Sequence, residues 1–312
     1  MRAGAAFTEI CQQFSHLQRS TRADLHIHST HSDGQFTPAE IIHHARSAGL
    51  FAIAITDHDS ISAFAEAQTA LATPTPLAPG TTRPRLQLIP GVEITCRFRN
   101  REAHLLGYGF DPENPLLRST LTEMRDQRRV RFQGMIDRLR TLGLRFADPF
   151  VESLLANPHA SFGRRHLAQH LVDTKQSPTI HLAFHRWLND RGPAAIEKVQ
   201  LPIDVGIRTV HAAGGVTSLA HPSEELAPDE LAELKSMGLD ALEAEYPWPG
   251  RGHRAAIREF ARRWGFLVSG GSDCHGPQPL NRMIGRSGII RVEFEQLFAS
   301  RRAIAPTMSH SG

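Results

Sequence analysis

A short and almost wholly apolar run, Phe51-Ala-Ile-Ala-Ile-Thr56, lies between Gly49 and the polar triplet Asp57-His58-Asp59. A run this short, bounded by a glycine on one side and charges on the other, reads as a strand buried on both faces. Such a strand needs helices over both faces of its sheet. The preceding residues supply the first of them. Residues 23–28 alternate as a strand, and Thr37-Pro38-Ala39-Glu40 reads as a capping box with proline at the first helical position. That helix runs to about Ser47, and Gly49 stops it. Strand, helix, strand in this order predicts a parallel α/β sheet, in which functional groups collect at the C-terminal ends of the strands.

The remaining chain extends the pattern, with one interruption. A helix over 60–71, a Pro/Thr/Gly-rich loop over 73–85, strand material at 86–89 and 92–97 around Pro90-Gly91, and a strand over 103–108 follow. After Asp111 the character changes: 115–142 is one long helical pattern carrying Arg125, Arg128, Arg129 and Arg131, followed by shorter helical segments near 149–156, 163–172 and 178–189. No β-like run is expected until about residue 215. From Pro202 the alternation resumes, with helices at 202–213, 228–237 and 253–264 and strands at 216–220, 239–243 and 266–269. The reading is therefore a discontinuous α/β domain (22–110 and 201–300), a helical insertion (111–200) and an N-terminal extension (1–21). Most of the insertion's arginines are expected on a solvated face. The tail beyond Arg301 reads as disordered.

Composition excludes some classes. No apolar run is long enough to span a membrane, and the N-terminus lacks a secretory pattern. Cys11, Cys96 and Cys274 stand far apart in no zinc-finger spacing, which fits a reducing cytoplasm. The net charge of +3 argues against broad nucleic-acid affinity. The unusual feature is 18 histidines, several beside Asp or Glu.

These histidines are placed in a pattern. In the run Ala23-Asp24-Leu-His26-Ile-His28-Ser-Thr-His-Ser-Asp33-Gly34, residues two apart on a strand point to one side, so His26 and His28 are expected to project together with Asp24. The Ser-Asp-Gly turn can return Asp33 toward them. His58, Glu93, His104, His221 and the pair Asp273/His275 also fall at predicted strand ends or in the loops beyond. One such histidine is more often structural than a ligand. Nine ionisable groups at one barrel rim would be costly to bury without a compensating cation. Two or three divalent ions would make the arrangement favourable, and the thiolate-free donor set suits Mn²⁺, Fe²⁺ or Zn²⁺. Asp24, Asp57 and Asp59 read as carboxylates that orient imidazoles. Phe184 and Trp187 read as core, Trp248 as either loop packing or a substrate contact, and Cys274 as facing away from its neighbours.

The motifs Asp24-Leu-His26-Ile-His28-Ser, Ser32-Asp33-Gly34, Thr56-Asp57-His58-Asp59, Gly91-Val-Glu93, Glu102-Ala-His104-Leu-Leu-Gly107, Ala220-His221-Pro222 and Gly271-Ser272-Asp273-Cys-His275-Gly276 resemble, in order, those of the PHP (polymerase and histidinol phosphatase) metallo-phosphoesterases. The resemblance implies a distorted (β/α)₇ barrel with an inserted small helical domain. It also implies a multinuclear site of two or three divalent ions, with Mn²⁺ the first choice. In it His26, His28, Glu93 and Asp273 hold one metal. Glu93 bridges to a second held by His104 and His221, and Asp33, His58 and His275 hold a third. A hydroxide bridging the metals near Glu93, His221 and Asp273 would attack phosphorus. Gly163-Arg164-Arg165-His166 resembles a phosphate-contacting segment, which makes Arg164 and, more weakly, His166 the candidate substrate-binding residues. The matching subfamily includes nucleotide phosphatases, some acting on nucleoside 3′,5′-bisphosphates and some trimming RNA from its 5′ end. The expected partner is thus a nucleotide or short oligonucleotide, with no membrane and no obligate protein partner. Two alternatives stand beside it: a phosphatase of histidinol phosphate or a sugar phosphate, and an RNA-binding module that uses the metals structurally.

Overall fold

The computed structural model describes residues 22–73, 85–156, 160–198, 200–223, 226–248 and 250–299. The expected N-terminal extension, most of the 73–85 loop and the C-terminal tail lie outside the described residues.

Strand β1 (Arg22–Ile27) leads into helix α1 (Pro38–Ser47), β2 (Ala52–Ile55) and α2 (Ala63–Ala72). The capping box at the start of α1 is formed: Thr37 accepts from the Glu40 amide and Glu40 from the Thr37 amide, and Gly49 takes the left-handed conformation at φ 71°. β3 (Gln87–Phe98) is one continuous strand through Pro90-Gly91 where two were expected. A two-residue turn then reverses the chain into β4 (Arg101–Tyr108). The helical region follows as α3 (Pro115–Thr141), α4 (Asp148–Leu155), α5 (Arg164–Asp173) and α6 (Ile180–Ala183), which continues as a π-turn over Phe184–Leu188. The rest is β5 (Leu201–Pro202), α7 (Ile203–Ala212), β6 (Val216–Leu219), α8 (Pro228–Ser236), β7 (Ala241–Glu245), α9 (Arg251–Trp264), β8 (Leu267–Gly270), β9 (Ile289–Ile290) and α10 (Arg291–Ala299).

Strands β1-β2-β3-β4-β6-β7-β8 form the barrel wall. A bridge between Ile27 and Cys274 joins the segment beyond β8 back to β1. The ring is distorted because β4 runs antiparallel to both β3 and β6. β9 adds antiparallel to the start of β1, and β5 pairs with the end of β3. β5 and β9 are two-residue strands that carry no periodic signal, and for that reason neither was expected.

Side chains alternate between two cores. Ala52, Ala54, Leu106, Tyr108, Val216, Ala220 and Ala241 pack together inside the barrel, whereas Ile53, Ile55, Ile41 and Ile42 pack outside it. β1 breaks the alternation. Ala23 and Leu25 join the inner core but Ile27 joins the outer one, and the register with β2 shifts between Asp24 and Ile27. This irregularity is what turns His26 and His28 inward, and it removes Asp24 from their side, contrary to the expectation from simple alternation.

The helical region has its own core of Phe132, Met135, Ile136, Leu139, Phe146, Leu167 and Leu171, against which Phe184 and Trp187 pack as expected. α3 belongs to both bodies: Leu117, Leu121 and Met124 pack into the barrel and Phe132 onward into the helical core. Arg125, Arg128, Arg129 and Arg131 are not a solvated face, although Arg118 and Arg138 of the same helix are exposed. Arg128 pairs with buried Asp59 and donates to the Phe162 carbonyl, while Arg129 and Arg131 donate to the carbonyls of Leu155 and Ile196. The carbonyls they reach lie in the loops at Phe162 and Ile196 and at the C-terminal residue of α4, where helical hydrogen bonding runs out. Among the described residues, no helix is long and apolar enough to cross a membrane.

Candidate metal centre

The rim of the barrel brings together all nine residues singled out as ligands. β1 delivers His26 and His28, and the loop beyond β2 delivers His58, whose backbone bridges to Glu93 on β3. His104 lies near the start of β4, and pairing opposite Thr95 on an antiparallel strand puts that start at the C-terminal rim. His221 and Asp273 follow β6 and β8, and both hold left-handed backbone, at φ 28° and 46°. Side-chain-bearing residues held there cost about 1–3 kcal/mol each, a strain typical of sites whose surroundings over-determine the backbone. Two glycines permit the close approach. A Cβ on Gly271 would stand 2.3 Å from the His26 nitrogen, and one on Gly34 would stand 2.2 Å from the His28 carbonyl oxygen.

The tightest group is His26, His28, Glu93 and Asp273. The two Nε2 atoms are 3.2 Å apart. Glu93 Oε2 lies 3.3 and 3.1 Å from them, and Asp273 Oδ1 3.3 and 3.2 Å. Donors about 2.1 Å from one ion are separated by roughly 3.0 Å at octahedral and 3.4 Å at tetrahedral angles. The four atoms thus have the spacing of donors around a common centre. Glu93 Oε1 forms a second group, 2.8 Å from His104 Nδ1 and 3.2 Å from His221 Nε2. Asp33 Oδ1 forms a third, looser group with His275 Nε2 at 3.4 Å and His58 Nε2 at 3.9 Å; His58 Nδ1 reaches Glu93 Oε2 at 3.2 Å. His28 also falls within reach of this third group. Three buried atoms here, Asp33 Oδ1, His58 Nδ1 and Glu93 Oε2, have no hydrogen-bond partner. Orphaned buried acceptors are costly, and divalent cations are what this donor set fits.

The electrostatics agree. Burial alone pushes the Glu93 and Asp33 carboxyls up, but the surrounding imidazoles outweigh it and hold both well below the usual range. Burial pushes His28 and His104 down. Contacts with Asp273 and Glu93 outweigh it for His28, which rises to about 10, and Glu93 and Glu102 do so for His104, which rises to about 9. Burial dominates at His58, which stays well below its ordinary value.

The carboxylates expected to orient imidazoles do something else. Asp57 accepts from the Ser29 amide at 2.7 Å and from the Ser29 and Ser32 hydroxyls at 2.6 and 2.5 Å, which fastens the turn that carries Asp33. Asp59 accepts from the Thr95 amide at 2.7 Å and pairs with Arg128. Asp24 accepts from the Ser272 and Gly285 amides, both at 2.8 Å. Their role is to lace rim loops together. The imidazoles are oriented by two glutamates. Glu243, fully buried on β7, lies 3.0 Å from His26 Nδ1 and accepts from the His221 amide at 2.7 Å. Glu102 lies 3.1 Å from His104 Nε2. Glu243 had a signal, a glutamate inside the buried strand Ala-Leu-Glu-Ala, and so had Glu102, which stands two residues before His104 in the motif Glu102-Ala-His104.

Arg164 opens α5, stacks over Phe184 at 5.7 Å, and donates to Asp190 at 2.6 Å and to the Leu188 carbonyl at 3.0 Å. His166 accepts from the Gly163 amide at 3.2 Å and meets Phe132 and Phe162 edge-on. A narrow cleft of about 20 Å³ is lined by Thr95, Gln127, Arg128, Arg131 and Lys198. Burial, then the like charges of Arg164 and Arg128, push the Arg131 guanidinium down to about 10. Lys198 Nζ is 2.6 Å from Glu102, which links the cleft to His104 and so to the centre.

The comparisons agree with this geometry. A model of the PHP domain matches residues 24–157. The 5′-3′ exoribonuclease Rnm of Escherichia coli (strain K12) is 30% identical over 261 residues, 82% of this chain and 86% of that protein. A 3′,5′-nucleoside bisphosphate phosphatase of Chromobacterium violaceum is 28% identical over 271 residues, 85% of this chain and 90% of that protein. A crystal structure from Bifidobacterium adolescentis, described as a metal-dependent phosphoesterase, superposes with a TM-score of 0.77 at 27% identity and covers 89% of this chain and 95% of its own. The chain belongs to the PHP domain family of metal-dependent phosphoesterases.

Proposed function

We propose that this enzyme hydrolyses phosphate monoesters of nucleotides that carry a second phosphate, nucleoside 3′,5′-bisphosphates or the 5′ end of a short RNA. The observation that carries the reading is the cationic cleft beside the donor cluster. Arg128, Arg131 and Lys198 line it and Arg164 lies near enough to depress Arg131; Asp59 pairs with Arg128, Glu102 with Lys198 and Asp190 with Arg164, while Arg131 donates to the Ile196 carbonyl and has no ion-pair partner among the described residues. Like charges held together at partial burial are unfavourable until an anion joins them, and guanidinium groups suit phosphate oxygens. The names of the two relatives support the substrate class.

In this reading His26, His28, Glu93 and Asp273 hold one divalent cation, Glu93 with His104 and His221 a second, and Asp33, His58 and His275 a third, Mn²⁺ being the first choice. The ions, when bound, supply the Lewis acid for a water nucleophile and offset charge on the phosphoryl oxygens. The rest is done by the chain. Glu243 fixes the His26 ring so that Nε2 faces the centre, and Glu102 does the same for Nδ1 of His104. Arg128, locked by Asp59 and donating to Thr95 Oγ1 at 2.5 Å, presents a fixed cation. Arg131 and Lys198 hold the non-reacting phosphate and set the ester to be cleaved over the rim. The helical region, proposed as an insertion over 111–200, supplies those cations to the barrel.

The test is phosphate release by the Mn²⁺-loaded chain from adenosine 3′,5′-bisphosphate, AMP and a 5′-phosphorylated RNA trimer. Preference for the bisphosphate or trimer that is lost in Arg131→Met supports the reading. Equal use of AMP refutes the role of the second phosphate, and no release from any of the three refutes the reading as a whole.

A further inference from the structure

Beside His221 and Asp273 stands a feature that the reading above does not use. Trp248, in the loop after β7, is 43% exposed, and Leu280, in the short helical turn before β9, is 62% exposed. Arg282 stacks on Trp248 with its guanidinium carbon 4.1 Å from the ring centroid. The stack adjoins the centre on both sides. The Trp248 ring is 5.4 Å from that of His221, and Arg282 Nη1 is 3.7 Å from Asp273 Oδ2. Tyr246, buried below, meets Trp248 edge-on at 5.1 Å and donates its hydroxyl to the Pro222 carbonyl at 2.6 Å, which fixes the platform from beneath.

We infer that Trp248 and Arg282 form a stacking platform for the nucleobase of the substrate. A large aromatic left half-exposed gains by being covered, and a guanidinium over its face is itself a surface on which a base can stack. Bases stack on aromatic rings and on guanidinium planes alike, and they do so without regard to sequence. The platform lies beside His221 and Asp273, whereas Lys198 of the cleft reaches the centre through Glu102 and His104. A nucleotide would therefore be held at both ends. This deepens the reading proposed above and rests on it for the position of the phosphate: it assigns the leaving group as an aromatic nucleoside, not a bare sugar. The competing position for a base is the cleft of about 360 Å³ lined by Phe98, Leu219, Pro222 and Leu226 beside His104 and His221.

The experiment compares kcat/KM for AMP with that for ribose 5-phosphate in the metal-loaded enzyme, and separately follows tryptophan emission as AMP is added. Trp248→Leu should lower the AMP to ribose 5-phosphate ratio by about tenfold or more, the size of a lost base–aromatic stack. Trp248→Phe should restore most of it, and Arg282→Lys, which keeps the charge and loses the plane, should fall between. AMP should quench emission in the parent chain and not in Trp248→Phe. An unchanged ratio in Trp248→Leu, an emission unaffected by AMP, or a ratio that falls instead in Leu226→Ala would overturn the platform. If no phosphate ester is hydrolysed but AMP still quenches Trp248, the platform stands and the catalytic reading falls.

Discussion

Glu243→Gln changes one oxygen to NH₂ and almost nothing in volume, yet the geometry makes it consequential. Glu243 is fully buried and accepts at both ends, with Oε1 3.0 Å from His26 Nδ1 and Oε2 2.7 Å from the His221 amide. An amide has one acceptor. If its oxygen stays with His26, its NH₂ meets the His221 N–H, and a buried donor left unpaired costs about 1–3 kcal/mol. If its NH₂ turns to His26, Nδ1 must accept and the ring carries its proton on Nε2. That nitrogen faces His28, Glu93 and Asp273 at 3.2–3.3 Å and has no lone pair left for a cation. Partners of this kind behind a ligating imidazole are worth ten- to a hundredfold in metal affinity, about 1.4–2.8 kcal/mol. The assay is competition for Mn²⁺ or Zn²⁺ against a chromogenic chelator, paired with thermal melts of the metal-free proteins. The expectation is an affinity drop in that range together with a melting point lower by a few degrees. Parent-like affinity in a folded Glu243→Gln protein would show that His26 is not held through Glu243, or is not a ligand.

Three further outcomes follow from the same geometry. Arg131→Met should raise the melting temperature of the anion-free protein, since it removes a cation that burial and neighbouring arginines disfavour, and should abolish stabilisation by added inorganic phosphate; unchanged phosphate stabilisation would remove Arg131 from the cleft's function. The metal-free protein should lose stability as pH rises: the ion pairs of His28 and His104 are fully present below their ordinary 6.5 and are lost through about 9 to 10, so melts should fall over that window, and metal uptake at neutral pH should release protons measurable by calorimetry in buffers of different ionisation enthalpy. Leu139→Ala, fully buried in the helical core, should cost about 2–5 kcal/mol, seen by hydrogen exchange as loosening of 132–194 with the barrel strands still protected; uniform loosening would show that the two cores melt as one.

The gathering of these donor side chains was readable in the sequence because each residue sits beside a strand that is itself readable. Ala52–Ile55 declares itself by an apolar run and Val216–Leu219 by its place between Gly214-Gly215 and His221-Pro222, and the histidines that follow them inherit their place at the rim. Three things were not readable, each for a physical reason. The register shift in β1 is a tertiary adjustment, made where Gly271 presses on the His26 backbone from across the closing seam, and no local propensity encodes it. The reversal of β4 hides in a two-residue turn with Arg99 in left-handed backbone, where a glycine would have announced it; only that reversal explains how His104 reaches the rim from the start of its strand. The arginines of α3 looked solvated because charge at helical spacing usually is. What draws Arg128 inward is a partner 69 residues away, Asp59, which holds left-handed backbone at φ 50° and spends its carboxylate on Thr95 and Arg128 rather than on a histidine. The same contact carries a consequence for function. Asp59 follows His58 directly and grips the helix that carries Arg131, so the cationic cleft and the donor cluster are fixed to one another through two adjacent residues of one loop. A substitution that frees Arg128 should therefore loosen phosphate placement and His58 together, which motifs read one at a time do not reveal.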